Sequence, residues 1–576
     1  MANLNTRWRR ENTYDAIVVG SGISGGWAAK ELTQKGLKTL VLERGGSMPH
    51  PEGYKTATMD PWDTQYPMGR LPDAEMKAKY PAQQRTGYAL TEYTQHLFVR
   101  DDENPYEEKQ RFDWIRGYHV GGRSLLWARQ SYRHSPQDFE ANAKEGVGVD
   151  WPIRYADLAP WYDYVERFAG VSGRKEGLAQ LPDGVFQPPM EFNCVEEVLK
   201  KGVEARFPER RVTIGRTANL TAPTEEQMAL GRGKCQHRNM CMRGCPFGAY
   251  FSSNSATLVA AERTGNLKIR PNSIVTTILY DAKKGRAEGV RILDATTGQE
   301  EEFYADVVFL CASALGSTWI MMNSTSSRFE NGFGNASDQL GRNIMDHHLG
   351  VGAQADAPGY EEHYYSGRRP NGVYIPRFRN LGDAGTKKDY LRGFGYQGGA
   401  GRFSWTRALG ASGFGAGRKA ELAQPAPWIV RLGGFGEILP YADNRVTLNK
   451  DKKDKYGLPT LTFDASIKEN EQKMRKDMIA SAVEMLEASG FKNVQPMDGD
   501  YGLGLGIHEM GTARMGRDPK TSVLNAFNQV HECKNVYVTD GAAMTSASCV
   551  NPSLTYMALT ARAADHAVSA KKRGEL

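Results

Sequence analysis

The chain has 576 residues, of which 40% are hydrophobic and 24% charged, so it is long enough for two or more domains and is globular rather than disordered or fibrous. The net charge is +6 and the basic residues are dispersed, which favours a solvated surface over a nucleic-acid or membrane surface. No apolar run reaches the ~18 residues of a transmembrane helix, and no secretory signal precedes the first predicted strand. We therefore expect a cytoplasmic chain, or a periplasmic one that is exported together with a partner carrying the signal.

The first predicted unit is a strand, a glycine-rich turn and a helix. The β-branched run at 14–19 predicts a buried parallel strand, and the alanine-rich segment 27–34 predicts a helix. The turn GSGISG contains Gly20, Gly22, Ser24 and Gly25, which suit a tight turn and close approach of the backbone to a pyrophosphate. A second strand at 38–42 leads to Glu43, which stands about 20 residues after the turn, as expected of the acid that binds a ribose hydroxyl. The unit predicts a dinucleotide site rather than an ordinary glycine turn, with FAD and NAD both open.

The rest of the chain alternates between irregular and periodic segments. Residues 46–113 lack periodicity and are expected to form loops and short elements that cover a site. The later predictions, in chain order, are strands at 267–280, 289–293 and 305–311, a small-residue turn at 312–316, antiparallel strands within 350–450 (including 393–396 and 403–405), a helix at 467–488, a strand at 536–538 and a helix at 553–571.

Two polar residues near the end of the chain have the chemistry of alcohol oxidation. His508 begins HEMGTARMG, and Asn551 begins NPSLT. A histidine can take the proton of a hydroxyl group, and an asparagine can hydrogen-bond the oxygen that remains. The alternatives are a histidine with structural hydrogen bonds at a strand end and a turn-forming asparagine before proline.

Three of the seven cysteines, Cys235, Cys241 and Cys245, lie within eleven residues and next to a Gly-Cys-Pro turn. In a chain without a secretory signal, such a cluster favours a metal or redox site over a disulfide. The spacing differs from the usual four-cysteine ferredoxin runs. A zinc site with His237 as fourth ligand and a set of packing cysteines that bind nothing both remain open. The other four cysteines are expected to be buried thiols.

Several ordered blocks resemble the glucose-methanol-choline (GMC) oxidoreductases, and within them the bacterial sugar dehydrogenases, with pyranose 2-oxidase more distant. The blocks are GSGISG (20–25), VGGRS (120–124), WPIRYADL (151–158), GRNIMDHH (341–348), DNRV (443–446) and the two C-terminal blocks at 508–516 and 551–555. The resemblance implies FAD as the dinucleotide. It also implies an α/β fold in which an FAD-binding Rossmann-like domain is joined to a substrate-binding domain with a mainly antiparallel sheet. We expect residues 10–48, 112–150, 256–348 and 497–572 in the first, and residues 49–111, 151–255 and 349–496 in the second, with its cover loops and cysteine-rich insertion.

The resemblance also implies roles for individual residues. His508 falls where these enzymes keep their catalytic histidine, and Asn551 where they keep a second histidine or an asparagine. The implied flavin contacts are Asp540 and Gly541 at the ribityl and pyrophosphate, Gly121, Gly122 and Ser124 in the loop under the isoalloxazine, Val275 at the adenine, and Pro552. Trp127 replaces an asparagine found in many members, which disfavours choline or methanol as substrate. Leu126 replaces a histidine that attaches flavin in pyranose 2-oxidases, so the FAD is expected to be noncovalent.

Similar cysteine triplets in the sugar dehydrogenase branch hold a three-iron, four-sulfur cluster that passes electrons from flavin to a cytochrome. The resemblance therefore implies such a cluster, a cytochrome c acceptor and a small partner subunit. The expected function is oxidation of a sugar or glycoside CH–OH group, most closely as in glucoside 3-dehydrogenases, which form 3-keto products. The alternatives are an oxygen-using pyranose or glycoside oxidase and, from another class, a flavin-containing electron-transfer subunit without alcohol chemistry.

Overall fold

The computed structural model describes residues 11–66, 69–363, 369–402, 413–499 and 501–576. Its strands are β1 (Thr13–Val19), β2 (Thr39–Leu42), β3 (Glu107–Glu108), β4 (Thr213–Ile214), β5 (Leu267–Arg270), β6 (Ser273–Asp281), β7 (Arg286–Asp294), β8 (Glu300–Leu310), β9 (Val351–Ala357), β10 (Val373–Ile375), β11 (Phe394–Arg402), β12 (Trp428–Gly436), β13 (Arg445–Lys453), β14 (Pro459–Asp464), β15 (Lys492–Asp498), β16 (Gln529–Val530) and β17 (Cys533–Val538). Its helices are α1 (Ile23–Gln34), α2 (Asp73–Lys79), α3 (Pro81–Thr86), α4 (Pro136–Glu145), α5 (Tyr155–Ala169), α6 (Cys194–Arg206), α7 (Glu225–Ala229), α8 (Leu258–Glu262), α9 (Ala314–Asn323), α10 (Ala416–Ala423), α11 (Glu469–Ala488) and α12 (Ser553–Lys572).

A mainly parallel sheet brings together strands from both ends of the chain. Its order is β16-β17-β8-β1-β2-β5, and the hairpin β6–β7 joins it through β8. Strands β17, β8, β1, β2 and β5 run parallel, while β16 and β7 pair antiparallel with their neighbours. The central strands are buried on both faces. Helix α1 contacts β1, β2 and β8 and packs against α12, while strands of the hairpin β6–β7 contact β2 and β17.

A second, antiparallel sheet has the order β15-β9-β12-β11-β10-β4. Helix α11 packs on β9 and β12, where Met474, Met478 and Met485 are completely buried. Gly434 and Gly436 leave room on β12 for this helix, because a Cβ would lie 2.8 Å from the Met478 sulfur at Gly434 and 2.5 Å from the Met474 sulfur at Gly436. A small third sheet, β13-β14-β3, lies apart from both.

The expected α/β fold with a parallel and an antiparallel sheet is confirmed. All strands of the parallel sheet come from the segments assigned to the FAD-binding domain, but the domain boundaries stay a prediction. The predicted strand 267–280 is wrong in one respect: it divides into β5 and β6 at Pro271, since proline lacks the N–H of a sheet ladder and Asn272 has a positive φ of 56°. The predicted turn at 312–316 is shorter than expected, because α9 begins at Ala314.

Two further predictions concern the remaining parts of the chain. The predicted strand at 403–405 lies outside the described residues, as does residue 10 at the start of the first domain segment. None of the described helices combines the length and apolarity that crossing a membrane requires.

Candidate active site

The carboxyl ends of four parallel strands meet at one edge of the larger sheet. Gly20, Glu43 and Cys311 follow β1, β2 and β8 directly, and Asp540 lies two residues after β17. Segments from both ends of the chain therefore become neighbours there. A cavity of about 430 Å³ begins at this edge. The predicted site residues that line it are Gly20, Gly22, Ser24, Glu43, Gly122, Ser124, Val275, His508, Asp540, Gly541 and Asn551.

The glycines of the first turn have different surroundings. A Cβ at Gly25 would lie 1.9 Å from the Gly20 carbonyl oxygen, because α1 packs directly on the strand that precedes it. Gly20 has a φ of 92°, and its Cβ would meet the Cys311 carbonyl oxygen at 2.5 Å. At Gly22 the nearest atom is 4.0 Å away, so this backbone faces open space in the cavity. Gly20 and Gly25 thus shape the turn, while Gly22 leaves room for a ligand at the N-terminus of α1.

Glu43 holds the glycine turn in place. Its Oε2 accepts hydrogen bonds from the Ser21 backbone N–H (3.1 Å) and hydroxyl (2.6 Å), and its Oε1 accepts from the Gly45 N–H (2.9 Å). Burial raises the pKa of this carboxyl, whereas these hydrogen bonds lower it. Ser21 in turn accepts from the Gly121 N–H at 2.9 Å, which ties the 121–125 loop to the turn.

Asp540 occupies the end of the last parallel strand. Its Oδ2 accepts from the Ser317 hydroxyl (2.5 Å) and its Oδ1 from the Ala542 N–H (3.0 Å). Burial raises the pKa of this carboxyl to about 6. The next residue, Gly541, leaves room for the Glu509 carbonyl oxygen, which a Cβ would approach to 2.3 Å. This packing brings the strand end and the 508–516 block together.

Three predicted flavin contacts do not line the cavity: Gly25, Gly121 and Pro552. Gly25 packs beneath the turn, and a Cβ at Gly121 would collide with the Asn254 side chain. Pro552 is buried at the start of α12, and the following Ser553 lines the cavity instead. Leu126 and Trp127 both line the wall, and the Trp127 indole N–H donates to the Phe251 carbonyl (2.9 Å).

His508 and Asn551 come together at the other end of the cavity. Asn551 Nδ2 and His508 Nε2 are 3.5 Å apart, and Gln397 Nε2 donates to Asn551 Oδ1. Burial holds the pKa of His508 well below the ordinary histidine value, and the neighbouring His347 and Arg123 lower it further. The imidazole is therefore neutral and able to accept a proton at neutral pH.

Asp346 and His347 support this histidine from behind. Asp346 accepts the backbone N–H groups of Gly504 (2.8 Å), Gly506 (3.1 Å) and His508 (3.1 Å). Burial raises the pKa of Asp346 to about 7. The ligand atoms of Asp346, His347 and His508 lie within 4.8 Å of one another. The carboxylate oxygens already accept backbone amides, however, so this donor set holds the loop rather than a cation.

An ion pair lies beside the histidine. Arg123 donates from both terminal nitrogens to Glu509, at 3.0 and 2.7 Å, and also to the Ile115 carbonyl oxygen. Both residues line the cavity, with Glu509 buried and the Arg123 side chain about one quarter exposed. Arg123 comes from the loop after Gly121, so the pair joins the glycine-rich end of the site to the histidine end.

The three clustered cysteines lie outside the cavity lining and are half-buried free thiols. Burial is the main cause that raises the pKa of the Cys235 thiol, and the neighbouring Cys241 and Cys245 raise it further. In the described part of the chain, they form no group with His237 whose ligand atoms all lie within 4.8 Å. A single zinc ion needs ligand atoms about 4 Å apart. The zinc site with His237, the iron-sulfur cluster and the packing cysteines all stay predictions.

The sequence interpretation missed several residues of the site. Asp346 and His347 stood in a quoted block, and two adjacent histidines after an aspartate were the signal that could have identified them. Ser21 and Glu509 each adjoin a predicted residue. Gln397 lies on β11 and Ser548 in the loop before Asn551. The sequence carries no signal for these two, because their position depends on how distant segments pack.

Comparisons with known proteins show the family of the chain. The GMC oxidoreductase family models match residues 14–349 and 440–560. The fructose dehydrogenase large subunit of Gluconobacter japonicus is 27% identical to this chain, and the match covers 97% of this chain and 98% of that subunit. The 2-methyl-1,2-propanediol dehydrogenase of Mycolicibacterium austroafricanum is 27% identical, covering 96% and 94%.

Among solved structures, a variant of Aspergillus oryzae formate oxidase studied for its FAD modification superposes with a TM-score of 0.61. The two sequences are 13% identical, and the match covers 98% of this chain and 99% of the other chain. This similarity shows the shared fold. The family models together match most of the chain. The chain belongs to the GMC oxidoreductase family and is an FAD-dependent oxidoreductase.

Proposed function

We propose that this enzyme oxidises a secondary CH–OH group of a sugar or glycoside, with His508 as the base and Asn551 as its hydrogen-bonding partner. The observation that carries the proposal is the position of His508 Nε2 and Asn551 Nδ2, 3.5 Å apart, in the same cavity as the open backbone at Gly22. A hydroxyl oxygen between them would donate to the histidine and accept from the amide.

The residues of the opposite end fit a dinucleotide. Gly22 leaves an open cradle at the N-terminus of α1, where backbone N–H groups favour a pyrophosphate. Gly20, Ser24, Gly122, Ser124, Val275, Asp540 and Gly541 line the same cavity, and the buried hydroxyl group of Tyr556 faces it without a partner among the described residues. These residues would hold FAD, and Glu43 would act mainly by fixing the turn. Leu126 has no nucleophilic atom, so the FAD would be noncovalent.

Bound FAD would supply the hydride acceptor for the alcohol carbon. The chain supplies the proton chemistry: His508 takes the hydroxyl proton, and Asn551 donates a hydrogen bond to the substrate oxygen as negative charge develops on it. Phe435 packs against both His508 and His347, and this apolar contact keeps water from the base.

The walls near the histidine support a sugar as substrate. Trp127 and Phe435 provide aromatic faces, while Gln130 and Gln397 provide amides that can bind hydroxyl groups. The similarity to a fructose dehydrogenase large subunit points to the same class of substrate. We propose a glucoside oxidised at C3 to a 3-keto product, as the resemblance to glucoside 3-dehydrogenases implies.

The test is anaerobic bleaching of the bound flavin by methyl glucoside and related sugars. We expect wild-type enzyme to bleach and His508→Ala to bleach ~100-fold more slowly or worse. His531→Ala, which changes a histidine outside the cavity, is the control. Equal bleaching rates in wild type and His508→Ala would exclude the base role. Absence of bleaching by any sugar would favour the electron-transfer subunit, and rapid reoxidation by air would favour the oxidase.

We also propose that Cys235, Cys241 and Cys245 hold a three-iron, four-sulfur cluster that passes electrons to a cytochrome c, with a small subunit as partner. A buried arginine supports negative charge there. Arg232 donates to the carbonyl oxygens of Gly248, Phe168 and Ala169. Burial lowers its pKa to about 9, and Cys245 counters this fall. Arg232 thus places a buried positive charge close to the cysteine triplet.

Iron and acid-labile sulfide analysis with electron paramagnetic resonance tests the cluster. We expect about three irons and four sulfides per chain, and loss of both in Cys241→Ser. Cys194→Ser, at a half-buried cysteine outside the triplet, is the control. Protein that binds FAD but contains no iron would exclude the cluster without affecting the role of His508.

A further inference from the structure

A row of hydrogen-bonding groups crosses the back of the histidine end of the site. Gln397 Nε2 contacts Asn551 Oδ1, Asn551 Nδ2 faces His508 Nε2, and His508 Nδ1 lies 3.0 Å from His347 Nδ1. His347 Nε2 lies 3.0 Å from the Ser548 carbonyl oxygen. The row therefore joins β11, the 508 loop, the segment before β9 and the 545–551 loop.

The last member of this row determines where the protons lie. A carbonyl oxygen can only accept, so His347 must carry its proton on Nε2 and donate it to Ser548. Burial holds the pKa of His347 at about 3, so this ring is neutral and its Nδ1 has a lone pair. His508 must then donate from Nδ1, since one proton has to lie between the two Nδ1 atoms. The remaining nitrogen, His508 Nε2, is left without a proton.

The other end of the row is consistent with this direction. The Gln397 amide group donates to Asn551 Oδ1, so Asn551 presents its NH2 group to the cavity and to His508 Nε2. Every donor thus points from Gln397 towards Ser548. A network in which all hydrogen bonds run in the same direction is rigid. Reversing one amide group or one histidine ring would leave two acceptors facing each other.

The backbone supports the end of the row. Ser548 has a positive φ of 61°, which is uncommon for a residue with a Cβ, and its neighbour Ala547 donates its N–H to the buried Glu437 (3.0 Å). Ile507, which precedes His508, has a φ of 58° although it is β-branched. Strain of this kind persists only where surrounding contacts hold it, and it is common at active sites.

We infer that His347, through the Ser548 carbonyl group, fixes the tautomer of His508 so that Nε2 is the free base, and that Gln397 fixes the amide direction of Asn551. His347 and Gln397 are positioning residues in this role. The inference rests on the proposed function for its catalytic meaning, but the proton positions do not depend on any substrate.

The direct test is 15N nuclear magnetic resonance of histidine-labelled protein, with the His508 signals assigned from their loss in His508→Ala. We expect wild-type His508 to carry its proton on Nδ1 and His347 on Nε2. In His347→Leu, the acceptor for His508 Nδ1 is lost, and we expect a mixture of both tautomers. A proton on Nε2 of wild-type His508 overturns the inference.

Kinetics of flavin bleaching give the second readout. We expect His347→Leu to slow bleaching by on the order of 100-fold, and His347→Gln to recover at least ~10-fold of that loss, because glutamine can accept from His508 and donate to Ser548. His348→Leu, the same change at the adjacent buried histidine, should stay close to wild type. A wild-type rate in His347→Leu overturns the inference while leaving the base role intact, which only His508→Ala tests.

Gln397→Glu tests the opposite end of the row. A neutral carboxylic acid can still donate to Asn551 Oδ1, but a carboxylate can only accept and would turn the Asn551 amide group round. We expect the bleaching rate of this variant to fall as pH rises through the pKa of the introduced carboxyl group, a descending limb that wild type lacks. Identical pH profiles for the two proteins would contradict the direction assigned to Asn551.

Discussion

At the glycine-rich end of the cavity, close backbone contacts determine the shape, whereas at the histidine end hydrogen bonds between distant side chains do so. A single methyl group at Gly25 has no space, while the neighbouring Gly22 is open. Around His508, by contrast, the decisive feature is which atom carries each proton. The first end therefore tolerates no added volume at Gly25, and the second tolerates no change in hydrogen-bond direction.

The largest effect is expected from Gly25→Ala. The added carbon would lie 1.9 Å from the Gly20 carbonyl oxygen, so α1 would have to move away from β1. We expect loss of folded FAD-containing protein, measured by thermal unfolding and by absorbance of the retained flavin. Gly417→Ala, in exposed α10 with no atom within 4 Å, should behave as wild type. Gly22→Ala should fold but retain less FAD. A stable, FAD-containing Gly25→Ala protein would contradict the argument that α1 packs too closely on β1 for an added methyl group.

The ion pair between the two ends should give the next largest effect. Glu509→Gln leaves the Arg123 charge without its carboxylate, and we expect a loss of about 3 kcal/mol in the free energy of unfolding. Urea denaturation measures this loss. Glu575→Gln removes the partner of the exposed Arg573 and should have no measurable effect. Equal stability of both variants would show that the buried pair contributes nothing.

His134 is a buried histidine that contrasts with His347, because neither ring nitrogen has a hydrogen-bond partner among the described residues. Burial lowers its pKa to about 4, below the ~6.5 of an unfolded chain. The unfolded state binds the proton first, so stability falls as pH decreases from about 6.5 to 4. We expect His134→Phe to reduce this acid-dependent loss by about 2 kcal/mol, measured by urea denaturation at pH 7 and at pH 4.5. An unchanged pH dependence would rule out this contribution.

The smallest effect is a change with pH in the wild-type bleaching rate. Burial lowers the pKa of His508, and the base must be unprotonated to act. The bleaching rate should be constant at neutral pH. It should fall about tenfold per pH unit only below pH 6.5, the ordinary pKa of histidine being about 6.5. Stopped-flow bleaching under saturating sugar measures the profile. A fall that begins above pH 6.5 would mean that another group controls the reaction.

Much of the glycine-rich end was predictable because its residues adjoin the strands that place them. Gly20 and Glu43 follow β1 and β2 directly, and a parallel sheet brings such strand ends to the same edge. The break between β5 and β6 had a local signal that the prediction of one strand overlooked, because Arg270, Pro271 and Asn272 interrupt the apolar pattern. At the histidine end, the prediction named His508 and Asn551 through a family resemblance, while Gln397 and Ser548 had no local pattern.

The sequence by itself determined the first strand, the glycine turn with its helix, and the acid after β2. These depend on periodicity and on residues close together in the chain. Only the tertiary structure decided that His347 lies behind His508 and that Gln397 faces Asn551. The physical reason is that the Ser548 carbonyl oxygen, the last acceptor of the row, sets the direction of the hydrogen bonds. Every residue has a backbone carbonyl group, and the sequence does not specify which donor each of them will meet.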